Sequence, residues 1–254
     1  THPVSTERIS EARARAKDYE RIVSEDSASY GIARSRIIVQ RFDTAKKAVE
    51  HFERESYARQ TDIERYGRAI AYQRDDRHSD ANKIFDDLIK KDQKVIAYHI
   101  GLAQTQLAME DYAASQASFD RAIELFPRNV PLVIHYAEAL LQTGNAKEAH
   151  RILLDLLNNV PPTPTQVRLI AKAANEAGDV AEAMYYMSEF RLMTGDLVGG
   201  VGFLREALAL PELQEIQRIR FEARIDFIRE YMTEEQLKQL QKVRPVSHGE
   251  RSQS

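Results

Sequence analysis

Residues 127–178 read PRNVPLVIHYAEALLQTGNAKEAHRILLDLLNNVPPTPTQVRLIAKAANEAG, and this stretch decides the fold. Its apolar residues recur at helical spacing, on faces that are otherwise charged or polar. Its helix-breaking residues recur at a fixed distance: Pro161 follows Pro127 by 34 residues, and Gly178 follows Gly144 by the same step. A period of this length predicts one helix–turn–helix unit per repeat.

The same period extends beyond this stretch. Each unit has two positions with small residues, and a large apolar residue follows the second of them by four: Ala69, Ala103, Ala137 and Ala171; Ala81, Ser115, Ala149 and Ala183; Phe85, Phe119, Leu153 and Met187. A small side chain on each helix lets two backbones approach closely, so this spacing predicts tightly crossed helix pairs. The pattern resembles the tetratricopeptide repeat, which implies an all-α superhelix, or α-solenoid.

We place tetratricopeptide repeats over residues 62–210. Four full repeats are predicted at 62–95, 96–129, 130–163 and 164–195. The first is degenerate, because Asp76 stands where two later turns have glycine. The sequence Thr194-Gly195-Asp196 has the same Gly-Asp turn residues as Gly178 and the residue after it, half a period later. Helix 180–193 is therefore expected to be the second helix of one pair and the first helix of the next. One more helix follows, with Gly200 at the small position and Leu204 at the large one.

The two ends depart from the repeat. Residues 10–61 predict divergent helices: a first helix that Ser5 or Thr6 caps and that runs to about Ile22, then helices at about 26–41 and 43–58. Residues 211–242 predict a capping helix, or two joined helices, with a broad apolar face and a capping box at Thr233-Glu234-Glu235-Gln236. Residues 243–254 have no apolar periodicity and predict a disordered tail.

Composition excludes several classes of function. The net charge is −3 and no basic stripe is present, which argues against a nucleic-acid partner. There is no cysteine, so neither a disulfide nor a thiolate metal site can form. No apolar run is long enough to span a bilayer. The seven histidines form no i, i+4 ligand pair, so we expect no metal site and no cofactor in this chain.

Residues 1–9 read THPVSTERI, and they resemble the segment that ends the catalytic domain of M48-family zinc metallopeptidases: Thr-His-Pro, a spacer, then Arg-Ile. In that family a repeat domain of this size follows directly in bacterial periplasmic members, and residues 220–229, RFEARIDFIR, are similar to its terminal helix. The resemblance implies that residues 1–9 are the end of a peptidase domain that precedes this chain, in keeping with a first residue other than Met. The His-Glu-x-x-His zinc motif is absent here, so the chain itself is not expected to be an enzyme.

The same resemblance implies a periplasmic location, and zinc as the cofactor of the complete protein, with His2 near the zinc site. It implies as partners the outer-membrane assembly machinery, unfolded outer-membrane protein clients and the chain's own peptidase domain. The function it implies is recruitment of substrates and partners for a zinc metalloprotease in outer-membrane protein assembly and quality control.

The first helices of a tetratricopeptide stack line its concave face, and residues one turn apart on them predict a binding groove. The predicted groove residues are Tyr66, Ile70, Ile100, Gln104, Leu107, Ile134, Glu138, Leu141, Arg168 and Lys172, with Tyr185 as a further contact. The groove would be apolar in its middle and basic toward its end, which suits a peptide with hydrophobic residues and a carboxylate. A neighbouring domain or helix could instead cover its apolar positions.

Two other functions remain open at this point. A free-standing tetratricopeptide scaffold that binds peptides or a partner chain would share every feature of residues 62–210, and an upstream His-Glu-x-x-His helix distinguishes the two hypotheses. An enzyme with its active site among these helices is the third, but no paired carboxylates, nucleophile–base pair or metal cluster supports it.

Overall fold

The computed structural model describes residues 6–17 and 27–242, and every regular element in these ranges is helical. The expected all-α class is therefore confirmed. The chain divides into two compact units, residues 1–71 and 72–254. The predictions for His2 and Ser5, for a helix end near Ile22 and for the tail 243–254 lie outside the described residues.

The described residues of the first unit form three helices, a 3₁₀ turn and most of a fourth helix: α1 (Thr6–Lys17), α2 (Ala28–Arg41), α3 (Ala45–Glu53), the turn Tyr57–Arg59 and α4 (Asp62–Arg74). The side chains of Ser27 and Thr44 accept hydrogen bonds from the first turns of α2 and α3 and fix where these helices begin. The prediction of one helix over residues 43–58 is wrong, because α3 ends at Glu53.

Side chains that follow α3 explain its early end. Gln60 donates a hydrogen bond to the carbonyl of Phe52, and Arg68 of α4 donates one to the carbonyl of Glu55. Both side chains are buried. They satisfy carbonyl groups that a continued helix would have bonded to its own amides, so the chain turns here without leaving buried backbone groups unpaired.

The second unit is a run of helices that begins with the last turn of α4: α5 (His78–Lys91), α6 (Ile96–Ala108), α7 (Tyr112–Leu125), α8 (Val130–Gln142), α9 (Ala146–Leu157), α10 (Pro164–Glu176), α11 (Val180–Met193), α12 (Leu197–Leu208), α13 (Glu215–Arg229) and α14 (Glu234–Lys242). The first helices of the repeats, α4, α6, α8 and α10, begin 34 residues apart, and so do the second helices α5, α7, α9 and α11. Helix α11 packs on both α10 and α12, as the half-period predicted.

The turn inside each repeat requires a left-handed residue. Positive φ angles occur at Asp76 (56°), Glu110 (59°), Gly144 (78°) and Gly178 (90°), again 34 residues apart, and at Gly195 (87°). The amide that follows each of these residues bonds to the carbonyl five residues before it, for example Asn145 N to Leu140 O at 2.7 Å. This is the Schellman arrangement that satisfies the last carbonyls of the first helix.

The repeat positions with small residues lie where helices cross. Ala69, Ala103, Ala137 and Ala171 are buried, and so are Ala81, Ser115, Ala149 and Ala183. The large residues Phe85, Phe119 and Leu153 fill the space beside them, whereas Met187 is only partly buried. Helices packed this closely leave little tolerance for added volume.

The last helices form a second cluster. Phe221, Ile225 and Ile228 of α13 and Leu240 of α14 pack with Val201 and Leu204 of α12. The region 211–242 is thus two helices, and α14 begins with the predicted capping box: the Thr233 amide donates to Gln236 Oε1 at 2.9 Å, and the Gln236 amide to Thr233 Oγ1 at 3.3 Å.

Replacement of Glu110 by Gly is expected to stabilise the protein by about 0.5–1 kcal/mol, because an L-residue is strained at positive φ and glycine is not. Gly144→Ala at the matching position of the next repeat is expected to cost about 1 kcal/mol for the same reason. Urea unfolding followed by circular dichroism measures both changes. A destabilised Glu110→Gly variant would show that Glu110 contributes a contact worth more than the backbone strain.

Two glycines inside helices are expected to respond in opposite directions to replacement by Ala. A Cβ on Gly101 would lie 2.4 Å from Cε1 of the buried Phe85 ring, so Gly101→Ala should destabilise the protein by about 1–3 kcal/mol. A Cβ on Gly202 meets nothing within 4 Å, so Gly202→Ala should stabilise α12 by up to about 1 kcal/mol through helix propensity. Equal effects in thermal unfolding would contradict the packing assigned to Gly101.

Candidate functional site

The predicted groove residues at equivalent repeat positions differ in burial. Tyr66 and Ile100 are buried, Ile134 is half-buried and Arg168 is exposed. One turn later, Ile70 and Gln104 are half-buried, whereas Glu138 and Lys172 are exposed. The first helices therefore present side chains to solvent mainly on α8 and α10.

Three predicted contacts lie in the core, and their assignment to an open groove is wrong. The Tyr66 hydroxyl is held by Arg36 Nε at 2.6 Å inside the first unit. Ile100 and Leu141 belong to the main apolar cluster of the second unit, and the half-buried Leu107 packs against that cluster. Each first helix touches neighbours on two sides, so an apolar residue on it is more often covered than open.

Four other predicted residues meet at one cleft of about 330 Å³ between α8 and α10. Ile134 and Glu138 come from α8, and Arg168 and Lys172 come from α10. Leu169 adds a second aliphatic side chain, and Thr165 and Gln166 complete the lining. Because the two helices start in the same phase of the repeat, residues 34 positions apart lie side by side in this cleft.

The charges at this cleft differ in how firmly they are held. Glu138 lies 3.1 Å from His135 Nδ1, and the same nitrogen lies 3.1 Å from Gln104 Nε2. When Nδ1 carries a proton, it donates a hydrogen bond to the Glu138 carboxylate. When Nδ1 carries none, it accepts a hydrogen bond from the Gln104 side-chain amide. Lys172 is 3.8 Å from Glu176 in an exposed pair. Arg168 has no carboxylate partner among the described residues, and its Cζ lies 5.9 Å from the centre of the Phe190 ring.

Tyr185 does not open onto this cleft. Its ring stacks on Phe221 of α13 with centroids 5.4 Å apart, and Arg220 Cζ lies 4.3 Å from its centre. Burial raises the pKa of its hydroxyl. Tyr185 is thus covered by the chain's own last helices, and its assignment as a free contact is wrong.

A wider cleft of about 880 Å³, which no sequence pattern indicated, lies between α7 and α9, with Val133 and Tyr136 of α8 among its lining. Tyr136 donates a hydrogen bond to Asp120 Oδ1 at 2.5 Å. Two hydrogen bonds from Arg151 lower the pKa of Glu148 on the facing wall. Asp120, Glu148 and Arg151 belong to the second helices, where surface charges at helical spacing give no signal that distinguishes a cleft from a solvated face.

In residues 6–17 and 27–242, no three His, Asp or Glu side chains converge in a way that could hold a metal ion. The helices of the same ranges include none with the length and apolar character needed to cross a bilayer.

Comparison with known proteins agrees with this architecture. Residues 106–173 match the tetratricopeptide repeat family. The chain is 25% identical over 230 residues to the putative beta-barrel assembly-enhancing protease of Vibrio cholerae. The aligned residues cover 89% of this chain and 48% of that protein. It is 25% identical over 236 residues to the beta-barrel assembly-enhancing protease of Escherichia coli, and this alignment covers 91% of this chain and 48% of that protein. The chain thus spans about half the length of these relatives.

Among solved structures, MamA from MSR-1 superposes with a TM-score of 0.50 at 17% identity, over 66% of this chain and 94% of that one. At this identity the likeness concerns the fold alone. Together these findings make the chain a protein with tetratricopeptide repeats that is similar over most of its length to beta-barrel assembly-enhancing proteases. Its fold is one that binds other proteins.

The stability of the protein is expected to fall as the pH drops below about 6.5, through His150. Burial lowers the pKa of this imidazole below its ordinary 6.5, and Asp179 and Glu182 only partly oppose the effect. Its Nε2 is buried without a hydrogen-bond partner among the described residues. Since the unfolded chain binds the proton more readily than the folded one, stability is full above the unfolded pKa and is lost as the pH falls.

The His150→Phe variant tests this effect, because it keeps a ring beside Tyr186, whose centroid lies 6.4 Å away. Urea midpoints measured between pH 7.5 and 5.5 should decline less in the variant than in the wild type. Parallel declines would assign the pH dependence to other groups.

Proposed function

We propose that this chain is the protein-binding region of a periplasmic zinc metalloprotease, and that it recruits substrates and partners for outer-membrane protein assembly and quality control. The observation that supports it is the cleft between α8 and α10, where the first helices leave both aliphatic and charged side chains open to solvent. In this role the cleft binds a polypeptide segment and catalyses no reaction.

The lining of the cleft defines the kind of segment that it suits. Ile134 and Leu169 offer aliphatic surface to one apolar side chain of a partner. Arg168, which no carboxylate of the described chain neutralises, and Lys172 offer positive charge beside it. We therefore propose a segment that presents an apolar residue next to a carboxylate, since a charge-assisted bond to Arg fixes the register of an extended or helical peptide.

The link to outer-membrane assembly and to proteolysis rests on the relatives, whose printed names describe a protease that enhances β-barrel assembly. In this proposal a peptidase domain of the longer protein supplies zinc and hydrolysis, and residues 1–9 join it to the repeats. The periplasm is the compartment in which such a protein meets unfolded outer-membrane clients and the assembly machinery. A His-Glu-x-x-His helix upstream of Thr1 in the gene would distinguish this protein from a free-standing scaffold.

Photocrosslinking tests the binding role. A photoreactive residue placed at Glu138 or Lys172 in cells that express the full-length protein is expected to capture components of the outer-membrane assembly machinery or their unfolded clients. Arg168→Ala should reduce this capture by about tenfold, which corresponds to loss of one charge-assisted hydrogen bond.

Matched controls make the outcome specific. Lys147 on α9 is an exposed position outside the cleft, and Arg121 on α7 is an exposed arginine outside it. Capture from position 147 equal to that from 138 and 172, or an equal loss in Arg121→Ala, would contradict the assignment of the cleft.

A further inference from the structure

Helix α13 has two apolar faces, and only one of them is used inside the chain. Phe221, Ile225 and Ile228 form the inner face, which is buried against α12. The outer face consists of Ile216, Ile219, Ala223 and Phe227, with Tyr231 in the turn that follows, so its members recur at steps of three and four residues. We call these five residues the outer stripe.

The outer stripe is unusually exposed for apolar side chains. Ile216 is 74% exposed, Tyr231 66% and Ile219 59%, whereas most large hydrophobic residues of the repeats are buried or half-buried. The last helix of a repeat array normally turns a polar face to solvent. A contiguous apolar stripe there is the usual mark of an interaction surface.

The described part of the chain does not cover the stripe. Helix α14 comes next, but it packs on α12, where Leu240 is buried and its carbonyl accepts a hydrogen bond from Arg205 Nη1 at 2.7 Å. Its helical part, from Ile216 to Phe227, spans 12 residues, or about 18 Å of helix. It lies where a repeat array would stack its next helix, so another helix is the shape that fits.

One edge of the stripe carries arginines that the chain already uses. Arg224 binds Glu189 of α11 through two hydrogen bonds of 2.7 Å, and Arg220 binds Glu182 of the same helix. These two pairs leave that edge neutral.

The other edge is acidic. It carries Glu215, Glu222 and Asp226, and Glu230 lies at its end beside Tyr231. Arg218 and Arg229 pair with Glu215 and Asp226 at 3.8 and 3.2 Å. Glu222 and Glu230 have no cationic partner among the described residues, so the surface around the stripe keeps a net negative charge.

We propose that the outer stripe docks an amphipathic α-helix of a partner protein, whose apolar face is flanked by Lys or Arg. The apolar side chains supply the affinity, and Glu222 and Glu230 select basic residues beside them. A second copy of this chain fits poorly. Antiparallel two-fold pairing sets acidic edge against acidic edge, and parallel pairing offers only Arg220 and Arg224, which are already bound. An anionic membrane is repelled by the same carboxylates.

Two labelled 18-residue helical peptides test the proposal by fluorescence anisotropy with the full chain. Both carry the same leucine stripe, and lysines flank it in one peptide while glutamates flank it in the other. The lysine peptide is expected to bind saturably and the glutamate peptide at least about tenfold more weakly. Ile219→Ser should weaken binding of the lysine peptide at least about tenfold, because burial of an isoleucine side chain is lost. The double variant Glu222→Gln/Glu230→Gln should weaken it several-fold and reduce its salt dependence.

The control is Ile37→Ser on α2, since Ile37 is 58% exposed, almost as much as Ile219 at 59%. Circular dichroism verifies that each variant is folded. Equal binding of the two peptides, or equal effects of the two serine variants, would overturn the proposal. So would a dimer in sedimentation velocity that Ile219→Ser dissolves, or binding to phosphatidylglycerol vesicles that needs the stripe. Crosslinking from the α8–α10 cleft does not depend on these outcomes, so either assignment can fail alone.

Discussion

The close crossing of helices at small residues is the constraint on which the rest of this structure depends. Ala103, Ala137 and Ala171 bring successive helices together, and Gly101 receives the Phe85 ring so tightly that a single added carbon would overlap it. Crossings this close require each first helix to end abruptly and the chain to reverse within a few residues. The left-handed residue every 34 positions makes that reversal possible, and it is retained even where the residue is Glu110 instead of glycine.

This constraint also decides which surfaces remain for function. A helix that touches neighbours on two sides keeps only a narrow strip for solvent, so most apolar residues of the first helices are covered. At α8 and α10 the strip widens, because Arg168 replaces the hydrophobic residue found at the same position of the three earlier repeats, and Lys172 faces Glu138 at the next position. Charged side chains cannot be buried without partners, so their presence keeps the face between these helices open.

The sequence predicted the fold well and the site in part, for different physical reasons. Small residues, turn glycines and large apolar residues are each required by local geometry, so Gly144 and Ala137 lie where their spacing placed them. Glu110 escaped notice as a turn residue because glutamate is not a usual left-handed residue and only the repeat position marks it. Ile100 and Ile134 are indistinguishable in sequence. Their burial differs because it depends on how far the neighbouring helices close over each of them, which no local pattern encodes.

The α8–α10 cleft and the outer stripe of α13 are separate surfaces, and helix α11 contacts residues of both. Phe190 of α11 lies beneath Arg168 of the cleft, and Glu182 and Glu189 of α11 hold the arginines beside the stripe. Coupling between two sites requires an element with two arrangements of similar energy. The paired hydrogen bonds from Arg224 and the packing of α11 against both α10 and α12 favour a single arrangement instead. We therefore expect the two surfaces to bind independently, so that one chain can hold two partners at once with additive free energies.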